Sequence, residues 1–475
     1  MPVIPDLFKK YSAVVQLALL LFASILLVYQ ISRPLVDYDE ATYAKVVVDT
    51  MRTGDLSTLQ LSRSNWFEKP PLYFWLSMGS VASFGDHEFS FRLPSILLSL
   101  LCLWLAYQLA KELSGDDLLA ACTFLVLLTS KLFLMYAREA RTDQGMLLAI
   151  LAALYFFIKS WKNRRYLFWI FPAIAIGFLF KSIVALLAIP VIIIYAAFYK
   201  RWSWLADKYL WGGLLTSLVL IAPWHLLETI RFGRAFWSVY IVRQVFDRAT
   251  TTITGTNNPI DYVRYLAVDY KPWMLVILAE IVLVLIFSFS RPWREKMHLE
   301  RLLPPLTVAI GIVALFTLAR THLPTYIFPA FPFFAMFAVF SYRSILEAMS
   351  SKIARILFGG LTIVIIAIYL YGSIVSSLNQ VPPATYDEMA IGEMYKNDPS
   401  GKIFSAGWPM LETADYYGDT QIMYLSSSTA SGKFLKAPVY FLVGTGTNTD
   451  GFEVLYQGKT VSLLYSDRDV QLPNY

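Results

Sequence analysis

Cysteine is nearly absent: Cys102 and Cys122 are the two in 475 residues, and both fall inside apolar runs. They supply no disulfide framework and no metal-ligand spacing, and read as core residues. Charge is scarce too, at 16% of residues against 57% hydrophobic, which excludes an ordinary soluble protein and indicates a polytopic membrane protein. The formal net charge of +6 needs no polyanion to explain it, because cations flanking membrane spans give the same total. No nucleic-acid partner is expected. There is no internal repeat and no low-complexity tract. The first apolar run, after Lys9 and Lys10, is followed by no small-x-small cleavage site and reads as an uncleaved span.

Further apolar runs lie at roughly 91–113, 117–137, 144–160, 166–180, 183–199, 207–224, 271–289, 302–319, 325–342 and 353–375, about eleven spans in all. Basic residues of alternate short loops, among them Lys9, Lys10, Lys162, Arg164, Arg201, Arg291 and Arg294, fall on one side. The positive-inside rule makes that side cytoplasmic. The loops 31–90 and 225–270, and everything after about 376, then face outward, toward the periplasm of a Gram-negative inner membrane. From Asn379 the character changes to short apolar runs, GKIFSAG, TQIMYLS, APVYFLVG and TVSLLYSD, separated by turn residues. The expected division is a transmembrane bundle over 1–378 and a small soluble α/β domain over 379–475, with Asp415, Tyr416 and Tyr417 in its core.

The outward loop 31–90 holds Asp37, Asp39, Glu40, Glu68 and Lys69 at the membrane surface, where charges need a reason. Ala44, Val47, Val48 and Met51 recur at helical spacing, so an amphipathic helix is predicted over 40–53, lying in the interface and ended by Gly54. Pro70 and Pro71 open a second helix too short to span. Asp39 suits a helix N-cap, a place that Asp37 fills equally well, and it suits a general base as well. Outward cations including Lys69, Arg138, Arg141, Lys181, Arg248 and Lys271 escape the positive-inside rule. Guanidinium and ammonium groups at the bilayer edge suit a lipid-linked phosphate, or the headgroups of membrane lipids. Arg141 and Asp143 share one turn, where a local ion pair and a site role are equally good readings.

The order DE-x-x-Y, GD, FEKPPLYFWL and FG-x-x-E-F-x-x-R-L-P-S resembles bacterial polytopic glycosyltransferases of the GT-C type that use polyprenyl-phosphate sugars. It is similar to lipid A aminoarabinose transferases and, more distantly, to protein O-mannosyltransferases, from about Pro34 to Pro332. The resemblance implies a helical bundle with outer-face juxtamembrane helices. It makes Asp39 the catalytic carboxylate, with Glu40 beside it and Asp143 a further active-site acid. Lys69 and, at the end of FWSVYIVRQVFDR, Arg248 would hold the donor phosphate. Tyr43, Glu68, Lys181 in GFLFKS, and His322 and Tyr326 in THLPTYIFPAFP would line the substrate cavity. Thr42, Gln244 and His322 stand where relatives tend to carry arginine, glutamate and lysine.

The expected reaction is inverting transfer of a sugar from a polyprenyl phosphate, undecaprenyl phosphate by the resemblance, to a lipid, glycan or protein acceptor. No cofactor is expected to be required; the few, scattered acids carry no metal-ligand spacing, and a divalent metal stays an open alternative. Rival readings are a transporter or lipid flippase, against which the clustering at one face and the lack of related halves count, and a ligase that transfers a whole oligosaccharide.

Overall fold

Backbone in lipid must satisfy its own hydrogen bonds, so apolar sequence of this kind folds as helices. The computed structural model describes residues 3–475 apart from 37, 254, 271, 290–296, 350, 379–380, 398–401, 407–411, 426–433, 448, 450 and 472–475. Asp37, Lys271, Arg291, Arg294 and Asn379, singled out above, lie outside the described residues.

The chain is a multi-pass membrane protein. Among the described residues, seven helical runs are long and apolar enough to cross a bilayer, or eight if Asp261–Asp269 and Trp273–Ser288, bent by 111°, count as one broken span. The expectation of about eleven was higher, for two physical reasons. Ser12–Val28 and Asp117–Leu128 are apolar, but 17 and 12 residues fall short of the bilayer's thickness. The run Arg164–Phe198 counts once by length, yet it folds back at Lys181–Ser182, where Ser182 takes φ 50°. A Cβ on Gly177 would lie 2.9 Å from that of Ala185, and the Tyr199 ring sits 4.9 Å from Trp161. Eight residues of straight helix would separate the first pair by about 12 Å.

One end of the bundle is stitched by ion pairs. Lys159 and Lys162 donate to Glu112 at 2.9 and 2.6 Å, and Ser12 donates to Asp117 at 2.6 Å. The other end carries the loop 31–90. Its amphipathic helix runs Asp39–Thr53, and Gly54 at φ 77° stops it in the left-handed cap that glycine favours. Ala44 and Val47 face the core. The second helix, Leu72–Phe84, starts after Pro71 as the two prolines require.

Beyond the last span, helix Pro383–Asn397 packs on a five-stranded sheet. The strand order is Met423–Leu425, Lys402–Ala406, Val439–Gly444, Val461–Ser466, Glu453–Gln457. The first three strands are parallel and the last two join antiparallel. All four apolar runs marked in the sequence hold strands; the edge strand Glu453–Gln457, exposed everywhere but at the half-buried Tyr456, was not anticipated. Tyr416 and Tyr417 are half-buried contacts to the first outer loop, which corrects their expected place in the core. Tyr417 donates to Glu88 at 2.7 Å and accepts from Leu35 N at 3.1 Å, while Tyr416 donates to Asp86 at 2.8 Å.

Candidate active site

The helix Asp39–Thr53 begins on its own acids. Tyr38, at φ 66°, sits in the left-handed region that a bulky residue rarely adopts, and this turn swings Asp39 and Glu40 to the helix start. Asp39 is not the N-cap; Tyr38 holds that position and no side chain caps it.

The two neighbouring acids have different surroundings. Glu40 is 1% exposed and bound on both oxygens: Oε1 accepts from Arg92 Nε at 2.7 Å and Ala140 N at 2.9 Å, and Oε2 from Arg92 Nη2 at 2.8 Å and Val36 N at 2.9 Å. Arg92 also donates to the carbonyls of Ile31, Arg33 and Pro34. Such a bidentate buried pair fixes the loop and leaves Glu40 no oxygen for a substrate, so the catalytic place expected for it is corrected to a positioning one. Asp39 is half-exposed and takes one strong partner, Arg141 Nη1 at 2.8 Å. Burial pushes its carboxyl upward, but Arg141, then Lys69 and Lys181, outweigh that and hold it below the ordinary aspartate value.

Arg141 pairs with Asp39 and with Glu139 at 2.6 Å, not with Asp143 in its own turn. Asp143 opens the helix Asp143–Ser160 and makes an ion pair with Lys181 at the end of Ile170–Lys181. Lys69 follows the buried Phe67 and reaches Gln244 Oε1 at 3.4 Å. Burial pushes its ammonium below the ordinary lysine value, against the pull of Asp39 and Glu68 and with the repulsion of Lys181 and Arg248. Gln244 lies in a π-helical run, Ser238–Asp247, a distortion often found at functional sites, and Arg248 follows it. Arg248 donates to Tyr326 at 3.1 Å, and its buried Nε has no partner among the described residues.

Asp39, Lys69, Asp143, Lys181 and Arg248 therefore converge, with Glu68 close enough to act on Lys69 and Arg248 as a negative charge. Tyr43 packs its ring against Phe74 at 5.3 Å, and its hydroxyl helps lower Asp39. His322 differs. It is 1% exposed; Nδ1 meets Asn258 O at 3.1 Å and Asp261 at 3.2 Å, and Nε2 meets Ala319 O at 2.9 Å. Neither nitrogen is left for a substrate, which corrects the substrate-binding place expected for it: His322 joins the segment after Arg248 to the one before Tyr326. Sequence reasoning missed Arg92 and Arg141 as partners of the acids, since 52 and 102 residues separate each pair. Among the described residues, no three His, Cys, Asp or Glu side chains group to hold a metal ion.

ArnT of Cupriavidus metallidurans, solved bound to undecaprenyl phosphate, superposes with a TM-score of 0.71 over 95% of this chain and 97% of that one, at 18% identity. The chain has the GT-C fold. The Archaeoglobus fulgidus oligosaccharyltransferase shares this GT-C architecture less fully, with a TM-score of 0.53 over 90% of this chain and 66% of that one, at 11% identity. Residues 68–226 match the family model for dolichyl-phosphate-mannose-protein mannosyltransferase. Among curated proteins, this GT-C chain is similar to the undecaprenyl phosphate-alpha-4-amino-4-deoxy-L-arabinose arabinosyl transferase of Pseudomonas aeruginosa, at 27% identity over 61% of this chain and 52% of that protein. The Yersinia pestis protein of the same name is 25% identical over 63% of this chain and 53% of its own length. The chain thus spans about half the length of the curated relatives it matches.

Proposed function

We propose that the chain is an inverting glycosyltransferase. It moves a pentose or hexose from a polyprenyl-phosphate carrier, undecaprenyl phosphate by its similarity to the relatives above, to a lipid, glycan or protein acceptor at the outer face of the inner membrane. The observation that carries this reading is the gathering of Lys69, Lys181 and Arg248 around Asp39, with one buried donor of Arg248 unspent among the described residues.

The acceptor oxygen attacks the anomeric carbon while the bond from that carbon to the carrier's phosphate oxygen breaks. The electron pair leaves on the phosphate, where Lys69 and Arg248 stabilise the developing charge. A hydroxyl acceptor gives its proton to Asp39, which Arg141 keeps ionised and oriented. An acceptor that is already anionic needs orientation alone. The side-chain cations provide the positive charge, and we propose that no metal is required.

The test uses membranes carrying the full chain and a panel of labelled polyprenyl-phosphate sugars, comparing it with Lys69→Ala and Asp39→Asn. Transfer with release of carrier monophosphate, lost in both variants, is the expected result. Unchanged transfer in both folded variants would remove the site assignment, and pyrophosphate release would favour the oligosaccharide ligase.

A further inference from the structure

The two neighbouring acids of the outer loop are gripped differently by their arginines. Arg92 holds Glu40 in parallel, Nε on one oxygen at 2.7 Å and Nη2 on the other at 2.8 Å. Arg141 holds Asp39 by one nitrogen, Nη1 on Oδ2 at 2.8 Å. Oδ1 accepts from no N–H among the described residues, and the Tyr43 hydroxyl stands beside the carboxylate. A guanidinium is a planar fork that suits two parallel bonds to a carboxylate, so the single contact needs a cause.

Glu139 supplies it. Its Oε2 takes Arg141 Nε at 2.6 Å, the nitrogen on the edge that Arg92 uses to grip Glu40. Asp39 is left with Nη1. The same guanidinium lies 4.1 Å over the centroid of the Tyr136 ring, and Glu139 and Tyr136 are both buried, so the group is held from the side and from one face. Charge balance alone explains a carboxylate at position 139, since Arg33, Arg92 and Arg138 lie close enough to feel it. It does not explain why that carboxylate occupies the gripping edge of Arg141.

We propose that Glu139 is a positioning residue, which restricts Arg141 to a one-point contact and so keeps Oδ1 of Asp39 open to the proton of an acceptor hydroxyl. The inference rests on the function proposed above and adds a specific role to it. The acceptor O–H bond breaks as its oxygen bonds to the anomeric carbon, the proton passes to Oδ1, and the electron pair of the broken glycosidic bond leaves on the carrier phosphate. Without Glu139, Arg141 turns its Nε and Nη2 edge toward Asp39. Both carboxylate oxygens are then hydrogen-bonded, as those of Glu40 are, and the base is weaker.

The test uses membranes carrying the full chain and a labelled polyprenyl-phosphate sugar that the natural chain transfers, with rates taken per folded chain over a range of donor concentration. Glu139→Met removes the acceptor of Nε. Glu139→Gln removes the charge and keeps an amide oxygen for the same nitrogen. Glu139→Met is expected to lower kcat roughly tenfold, less than deleting the base outright, with the donor KM within about twofold. Glu139→Gln is expected to stay within about threefold of the natural kcat, because the hydrogen bond and not the charge orients Arg141. A residue that only balances charge makes the two variants alike, since both lose the carboxylate, and equal kcat values in the two overturn the proposal. A change confined to the donor KM overturns it too. Glu139→Ala carries the same comparison if the methionine variant does not fold. A natural chain that transfers no such sugar, or an Asp39→Asn chain as active as the natural one, overturns the underlying reading instead.

Discussion

Arg141 donates to the Asp39 carboxylate at 2.8 Å from a turn 102 residues further along the chain. Since burial raises the Asp39 value and Arg141 is the largest influence lowering it, the pair decides where Asp39 titrates. With the carboxyl held below its ordinary value, the acid limb of kcat/KM falls below about pH 4. Arg141→Gln leaves burial less opposed, so that limb moves toward neutral pH. The ionised group favours the folded state above the unfolded value of about 3.9, and that contribution is lost as pH falls through the folded value. A pH–rate profile of the two chains checks the shift. Asp39→Asn is expected to lower transfer to a hydroxyl acceptor roughly 10² to 10⁴-fold.

Lys69→Ala and Arg248→Gln are expected each to cost about 10² to 10³ in transfer, the size typical of removing a donor to developing negative charge. Because burial and the neighbouring cations lower the Lys69 value, the alkaline limb of kcat/KM lies below the ordinary lysine range. A bound anionic donor stabilises the ammonium, so the limb of kcat lies higher than that of kcat/KM. Donor-saturation curves across alkaline pH measure both.

Much of this arrangement was legible because it is local. The apolar spacing of Ala44, Val47, Val48 and Met51, closed by Gly54, yields the helix Asp39–Thr53 within a residue of its expected start. Pro70 and Pro71 mark the next helix start as clearly. The pairings of the acids were not legible, because spacing rules reach three or four residues along a helix and Glu40 meets Arg92 across 52 residues. Nor does spacing show what covers the polar face of the same helix: Lys45 on that face is 6% exposed, because the C-terminal segment meets it. Lys69, Lys181 and Arg248 stood out as outward cations suited to a phosphate, and the resemblance supplied their separate roles; the fold brings them near Asp39.

Glu40→Gln separates positioning from chemistry. Breaking a fully buried ion pair leaves Arg92 uncompensated, and about 3–5 kcal/mol of stability is expected to go. Asp39→Asn, at a half-exposed carboxylate, is expected to lower the thermal unfolding midpoint much less than Glu40→Gln does. Midpoints in one detergent, beside activity, distinguish a variant that fails to fold from one that folds and fails to react.

Chelation is a direct check on the charge that stabilises the leaving phosphate. With Lys69 and Arg248 in that place, transfer in excess EDTA is expected to stay within about twofold of the untreated rate, a change under 1 kcal/mol in the barrier. Full loss restored by a divalent cation would reverse the proposal that no metal is required.

Tyr417 connects the C-terminal segment to the backbone that leads into Asp39. Its hydroxyl accepts from Leu35 N and donates to Glu88, and Thr413 donates to Leu35 O at 3.2 Å, so Leu35 is held on both backbone groups from across the sequence. The next residue, Val36, donates to Glu40. Tyr417→Phe deletes two of these bonds without changing the ring and leaves Leu35 N without its acceptor, costing about 1–3 kcal/mol. Arg52→Gln removes a different tie, to Asp419, but both of those side chains are more than a third exposed, and such pairs are worth about 1 kcal/mol or less. Tyr417→Phe is therefore expected to lower both the unfolding midpoint and the rate of transfer further than Arg52→Gln does. Equal effects would mean that the segment rests on the outer loop without holding it.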